Sequence, residues 1–174
     1  MGINLDEMVV WNPRQEFGGN SIDSLKKSKM ILWQGHCSVH LNFMPVHADN
    51  FRKQYPQGKI IVHPECMFEV TRKADLMGST SKIIKIIEAA EKGSVWAVGT
   101  EDHLVHRLAK DHPDKTIQLL SNFTCQCSTM NRIDPQHLLY VMRSLKENKI
   151  VNQIVVDKKI QKFAHLALKR MLEL

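Results

Sequence analysis

The residues of this 174-residue chain best suited to chemistry are a cysteine set between histidines, an imidazole beside a carboxylate, and a cysteine pair. In Gly35-His36-Cys37-Ser38-Val39-His40 a thiol stands near two imidazoles. That set serves as metal ligands, as a nucleophile with its base, or as a buried thiol beside ordinary imidazoles. In His63-Pro64-Glu65-Cys66, Pro64 fixes the turn between an imidazole and a carboxylate. Each can take or give a proton, and a Glu partly desolvated near a His is tuned toward neutral pH. Glu65 would alternatively occupy the first turn of a helix running to residue 74, where the helix dipole favours it.

Gly78-Ser79-Thr80-Ser81 precedes an Ile-rich helical pattern. Small hydroxyl residues there either cap the helix or, with its free N–H groups, bind phosphate or carboxylate. Cys125-Gln126-Cys127 is tighter than the usual zinc pair, whose cysteines are separated by about two to four residues. Cysteines scattered over the chain suit an iron–sulfur cluster held by separate loops at least as well as zinc.

The elements that must position these groups are read from hydrophobic period. Short apolar runs at 30–34, 59–63, 95–99 and 116–120 predict buried strands, and amphipathic patterns at 45–54, 81–92 and 101–111 predict helices between them. Strands separated by single helices imply an α/β fold with a parallel sheet. Cys37 and His40, His63-Pro64-Glu65-Cys66, Thr100, and Cys125 and Cys127 then each follow the carboxyl end of a predicted strand, the edge where open α/β sheets bind ligands. Beyond a loop at 121–131, Asp134-Pro135 opens a helix to about residue 149 with Leu138, Leu139, Val141, Met142 and Leu145 inward. A last helix from residue 157 carries Ile160, Phe163, Ala164, Ala167, Leu168 and Met171 as a core stripe. Residues 1–29 read as a loop without a partner, which suggests a chain that starts inside a domain.

Composition narrows the classes. At 43% hydrophobic the chain can bury one good core. Its net charge of +6 is spread along helix faces such as Lys82, Lys85 and Lys92, a solvated basic surface. Nucleic-acid binding wants a concentrated patch, so no nucleic-acid partner is expected, while an anionic small substrate suits the charge. No apolar run approaches the roughly 20 residues a membrane span needs, and the N-terminus has no signal-peptide pattern, so a cytoplasmic protein with reduced cysteines is expected.

Taken in order, residues 35–40, Val62-His63-Pro64-Glu65-Cys66, residues 74–81, Gly99-Thr100-Glu101 and Cys127-Ser128-Thr129-Met130 resemble the signatures of the quinolinate synthase (quinolinate synthetase A) family. The resemblance covers residues 29–174. It implies a three-layer α/β/α fold with a parallel sheet, part of a pseudo-threefold three-domain architecture. Each domain of that architecture lends one cysteine to a 4Fe-4S cluster at the junction. Residues 1–36 would be the C-terminal remnant of the middle domain and 37–127 a complete repeat. Residues 128–174 would be a helical segment that packs on a first domain lying outside this sequence.

The implied reaction condenses iminoaspartate (iminosuccinate) with dihydroxyacetone phosphate to quinolinate, phosphate and water in de novo NAD biosynthesis. L-aspartate oxidase is the implied supplier of iminoaspartate. Carried onto this sequence, Cys37 and Cys127 resemble two of the three cluster ligands. Glu65 resembles the proton-transfer group, and His63 and Pro64 the substrate-contacting strand end. Ser79 and Thr80 resemble the group that holds a substrate's anionic end, and His40 and Thr100 line the same pocket. Cys66 is a bystander, since some members of the family lack it, and Cys125 competes with Cys127 or pairs with it in a redox role. The chain by itself is expected to be inactive. The competing class is a non-catalytic α/β module that binds zinc or a phosphate ester.

Overall fold

The β-branched run Met8-Val9-Val10-Trp11 forms strand β1 (Met8–Trp11), which pairs in parallel with β2 (Met30–Trp33), with helix α1 (Ile22–Lys27) between them in sequence. The expectation of an unpartnered loop over residues 1–29 is therefore corrected. Four residues are too few to display a period, and the partner strand lies far along the chain, so local pattern could not reveal the pairing. The second strand also departs from expectation, because Ile31, Leu32 and Trp33 are exposed rather than buried.

The computed structural model describes residues 2–122 and 127–173, in two units, Met1–Cys127 and Ser128–Leu174. After β2 the first unit runs α2 (Ser38–Leu41), α3 (Pro45–Gln54), β3 (Lys59–Val62), α4 (Phe68–Lys73), β4 (Leu76–Met77), α5 (Thr80–Glu88), β5 (Val95–Gly99), α6 (Asp102–Asp111) and β6 (Thr116–Leu119). Strands β3 to β6 form one parallel sheet in the order β4-β3-β5-β6. The two-residue β4, too short to register as an apolar run, is the strand the hydrophobic pattern misses.

Side-chain alternation along these strands builds the two sides of the sheet. Ile60, Val62 and Ala97 pack with Phe51 of α3 and Val70 of α4. Their neighbours Ile61, Trp96 and Val98 pack with Ile83 and Ile87 of α5 and Val105 and Leu108 of α6. The result is the three-layer α/β/α arrangement. Each buried Ile or Val contributes about 1.5–3 kcal/mol by leaving water. Asp75 ties the edge together, accepting from the Ile60 backbone N–H at 2.7 Å and from Arg52 of α3 at 2.9 Å.

Gly99 ends β5 where no side chain fits. A Cβ there would stand 2.8 Å from Val62 Cγ1 and 3.3 Å from Leu120 Cδ2. Gly99→Ala should therefore destabilise the first unit by about 1–3 kcal/mol through overpacking, measured as a lower denaturation midpoint. An unchanged midpoint would mean that this strand end has slack the packing does not suggest.

In the second unit Asp134 caps α7 (Pro135–Lys146) and Asp157 caps α8 (Lys158–Leu172), each accepting from a first-turn backbone N–H. The helices stand where the pattern predicts, but their apolar stripes are not core. Leu138, Leu139, Met142 and Leu145 of α7 and Ile160, Phe163, Leu168 and Met171 of α8 are exposed. Two helices alone offer too little surface to cover such faces. No helix among the described residues is long and apolar enough to cross a membrane.

Candidate functional site

The sheet register assembles the site. Val62 pairs with both Met77 and Gly99, so the ends of β3, β4 and β5 lie level. His63, the Gly78-Ser79-Thr80 segment and Thr100 thus leave the sheet at one carboxyl edge. The backbone N–H of His63 donates to the Gly99 carbonyl at 3.0 Å, and that of Gly78 to the Val62 carbonyl at 3.1 Å, which fixes the first residues beyond the strands.

His63-Pro64-Glu65 forms a turn, and α4 begins only at Phe68. Glu65 therefore lies outside the first helical turn, and the helix-dipole explanation of this residue is overturned; Glu69 takes that place. Nor do His63 and Glu65 pair through their side chains. The Glu65 backbone N–H donates to His63 Nδ1 at 3.2 Å, so in neutral His63 the ring proton is on Nε2. The Glu65 carboxylate instead meets His40, with Oε2 3.1 Å from Nδ1.

His40, in α2, stacks on His63 with ring centroids 4.5 Å apart and planes 13° from parallel. It is 8% exposed, whereas more than half of the Glu65 side chain is open to water. Burial first, then the neighbouring His63 ring, holds the His40 imidazole below its ordinary pKa against the opposing pull of Glu65. At neutral pH His40 is accordingly uncharged.

Cys37 precedes α2 as its N-cap residue, without a capping bond from its side chain. It is half-buried and shares with Trp33, Gly35, His36 and Glu65 a cleft of about 370 Å³. Cys37 and Cys127 pack against one buried cluster, which includes Val39, Phe43 and Val62. Cys66 belongs to that cluster, and its thiol donates to the Gly99 carbonyl at 3.5 Å. Cys125 lies outside the described residues.

Ser79 stands at the N-cap position of α5, but its hydroxyl makes no capping hydrogen bond and the first turn holds no acidic residue. Ser79 and Thr80 are exposed, which frees their hydroxyls for another acceptor or donor. Thr100, in contrast, is 3% exposed, followed by Glu101, whose carboxylate accepts from the Leu104 N–H to cap α6.

The family model described as Quinolinate synthetase A protein matches residues 2–173. The chain belongs to the quinolinate synthetase A family. A quinolinate synthase of Herpetosiphon aurantiacus is 50% identical over all of this chain and 46% of its own length. One of a Nocardioides species is 51% identical, with 44% of its length covered, and one of a Geobacillus species 51%, with 47% covered. The chain thus spans somewhat less than half the length of these relatives.

For a member of the quinolinate synthetase A family, the donors around Glu65 are informative. Cys37 Sγ and ligand atoms of His40 and Glu65 lie within 4.8 Å of one another. Cys37 and Cys127 are thiols from separate loops that pack against one core cluster, donors of the kind an iron–sulfur cluster takes. Cys66 is enclosed in the core with its thiol turned to the Gly99 carbonyl. The feature that residue spacing missed is the His40–Glu65 pair: the partners stand 25 residues apart, and only the β3 turn brings them together.

Proposed function

We propose that these 174 residues form part of the active site of quinolinate synthase, which condenses iminoaspartate with dihydroxyacetone phosphate to quinolinate, phosphate and water. The observation that carries the reading, in a chain of this family, is a sheet edge that bears the His63-Pro64-Glu65 turn and Ser79-Thr80, together with the half-buried Cys37, which follows the separate β1–β2 pair and shares a cleft with Glu65. Cys37 and Cys127 are two of the three thiolates that would hold a 4Fe-4S cluster. When bound, such a cluster supplies a Lewis-acidic iron with an open coordination position, beside which a hydroxyl becomes a better leaving group.

The chain's own residues do the rest. Glu65, exposed and ionisable, takes protons from the condensing substrates and returns them during dehydration and ring closure. His63, with its ring proton on Nε2, donates a hydrogen bond to a substrate oxygen. Pro64 holds the turn that keeps imidazole and carboxylate in register. Ser79 and Thr80, with the free N–H groups of the α5 N-terminus, hold an anionic end such as phosphate or carboxylate. Thr100 supports the pocket from behind, and the +6 charge favours anionic substrates generally.

Residues 1–36, 37–127 and 128–174 correspond in this reading to the end of one domain, a whole repeat and a helical segment with an interdomain role. The 174 residues by themselves turn over no substrate and hold a cluster poorly, because a third thiolate and part of the pocket belong to the remainder of the family architecture. A cytoplasmic setting, with L-aspartate oxidase supplying iminoaspartate, follows from the same reading.

The second reading is a zinc-binding module, favoured by the proximity of Cys37, His40 and Glu65 donors. Anaerobic reconstitution of the complete enzyme separates the two. Iron and sulfide should give broad absorption near about 400 nm, with cysteine-dependent intensity. A colourless protein that retains stoichiometric zinc instead would establish the module and end the synthase reading.

A further inference from the structure

We infer that His40 is a positioning residue that clamps the Glu65 carboxylate in its working orientation without itself touching substrate. The inference rests on the reading of Glu65 as the proton-transfer group and adds what holds that group in place. Glu65 protrudes from a turn with 57% of its side chain exposed, so alone it would sample many rotamers. His40 has the opposite character. It is buried in α2, stacked on His63, and its Nε2 is enclosed with no hydrogen-bond partner among the described residues.

That orphaned nitrogen decides the tautomer. An N–H at Nε2 would be buried without an acceptor and would leave a lone pair at Nδ1 facing the carboxylate. Each fault costs on the order of 1–3 kcal/mol. The neutral ring therefore carries its proton on Nδ1 and donates to Glu65 Oε2 at 3.1 Å. One carboxylate oxygen is thereby held by a rigid, uncharged donor, and the other is left for a substrate proton. Enclosure of Nε2 keeps the ring from serving substrate directly.

Two substitutions and one spectrum test this. In the cluster-loaded complete enzyme, His40→Ala should lower kcat on the order of 100-fold, the penalty of a misplaced catalytic group, with KM near the wild-type value. His40→Asn, whose side-chain amide can reproduce a donor near Nδ1, should recover kcat to within about 10-fold. Wild-type kcat in His40→Ala, or equal losses in both variants with a proportional rise in KM, would overturn the role.

Because either variant could lose structure, nitrogen NMR of the unsubstituted chain with ring-labelled histidine gives an independent reading. It should show His40 protonated on Nδ1 and bare on Nε2, and the reverse pattern overturns the inference. A fully active Glu65→Gln enzyme would sink the underlying assignment of Glu65. Full activity of His40→Ala beside an inactive Glu65→Gln would sink only the clamp.

Discussion

Glu65→Gln in the complete, cluster-loaded enzyme should lower kcat for quinolinate formation by about 1,000-fold while the visible absorption of the cluster stays unchanged. The substitution is nearly isosteric, and its amide oxygen can still accept from His40 Nδ1, now 3.1 Å from Oε2. The turn should survive it, since Glu65 contributes to that turn through its backbone N–H to His63 Nδ1. What disappears is a group able to bind and release a proton. Ser79, Thr80 and His63, the residues proposed to bind substrate, are left intact, so KM should move little. Substantial quinolinate formation by this variant would rule out the role assigned to Glu65.

Cys37→Ser should abolish the iron–sulfur absorption altogether, and activity with it. Loss of fold is a poor competing explanation, because Cys37 occupies the N-cap position of α2 and serine is among the best residues there. The hydroxyl is a far weaker iron ligand than a thiolate. Cys66→Ser is the control: its thiol is buried and turned to the Gly99 carbonyl, so that change should cost stability and leave the absorption in place. If Cys37→Ser kept a full cluster spectrum, or Cys66→Ser lost it, the ligand assignment would be wrong.

Much of this was legible from residues alone because local pattern and topology agree. The Lys59–Val62 and Val95–Gly99 runs are central strands with both faces covered, the situation in which continuous apolar runs are most diagnostic. With the strands placed, the parallel sheet put His63 and Thr100 at one edge, whereas Ser79 reaches that edge through β4. The four-residue β1 and two-residue β4 escaped because pairing partners distant in sequence, not period, define them.

The exposed stripes of α7 and α8 expose a different limit. Periodicity reports that a face is apolar, not that the residues in hand cover it. At the site, sequence adjacency suggested a His63–Glu65 pair, whereas the carboxylate reaches His40 and leaves His63 to accept from backbone. A two-residue spacing across a proline turn sets the backbone path but not which side chains face each other. The partner came from helix α2, 25 residues away in sequence, which no local motif encodes.

The most direct measurement of the central claim is the product balance of the complete enzyme, reconstituted with iron and sulfide and supplied anaerobically with iminoaspartate and dihydroxyacetone phosphate. Quinolinate should accumulate with an equal amount of phosphate, dependent on Cys37, Cys127 and Glu65. An iron-loaded enzyme that forms no quinolinate, or a zinc-loaded one that forms as much, would contradict the account.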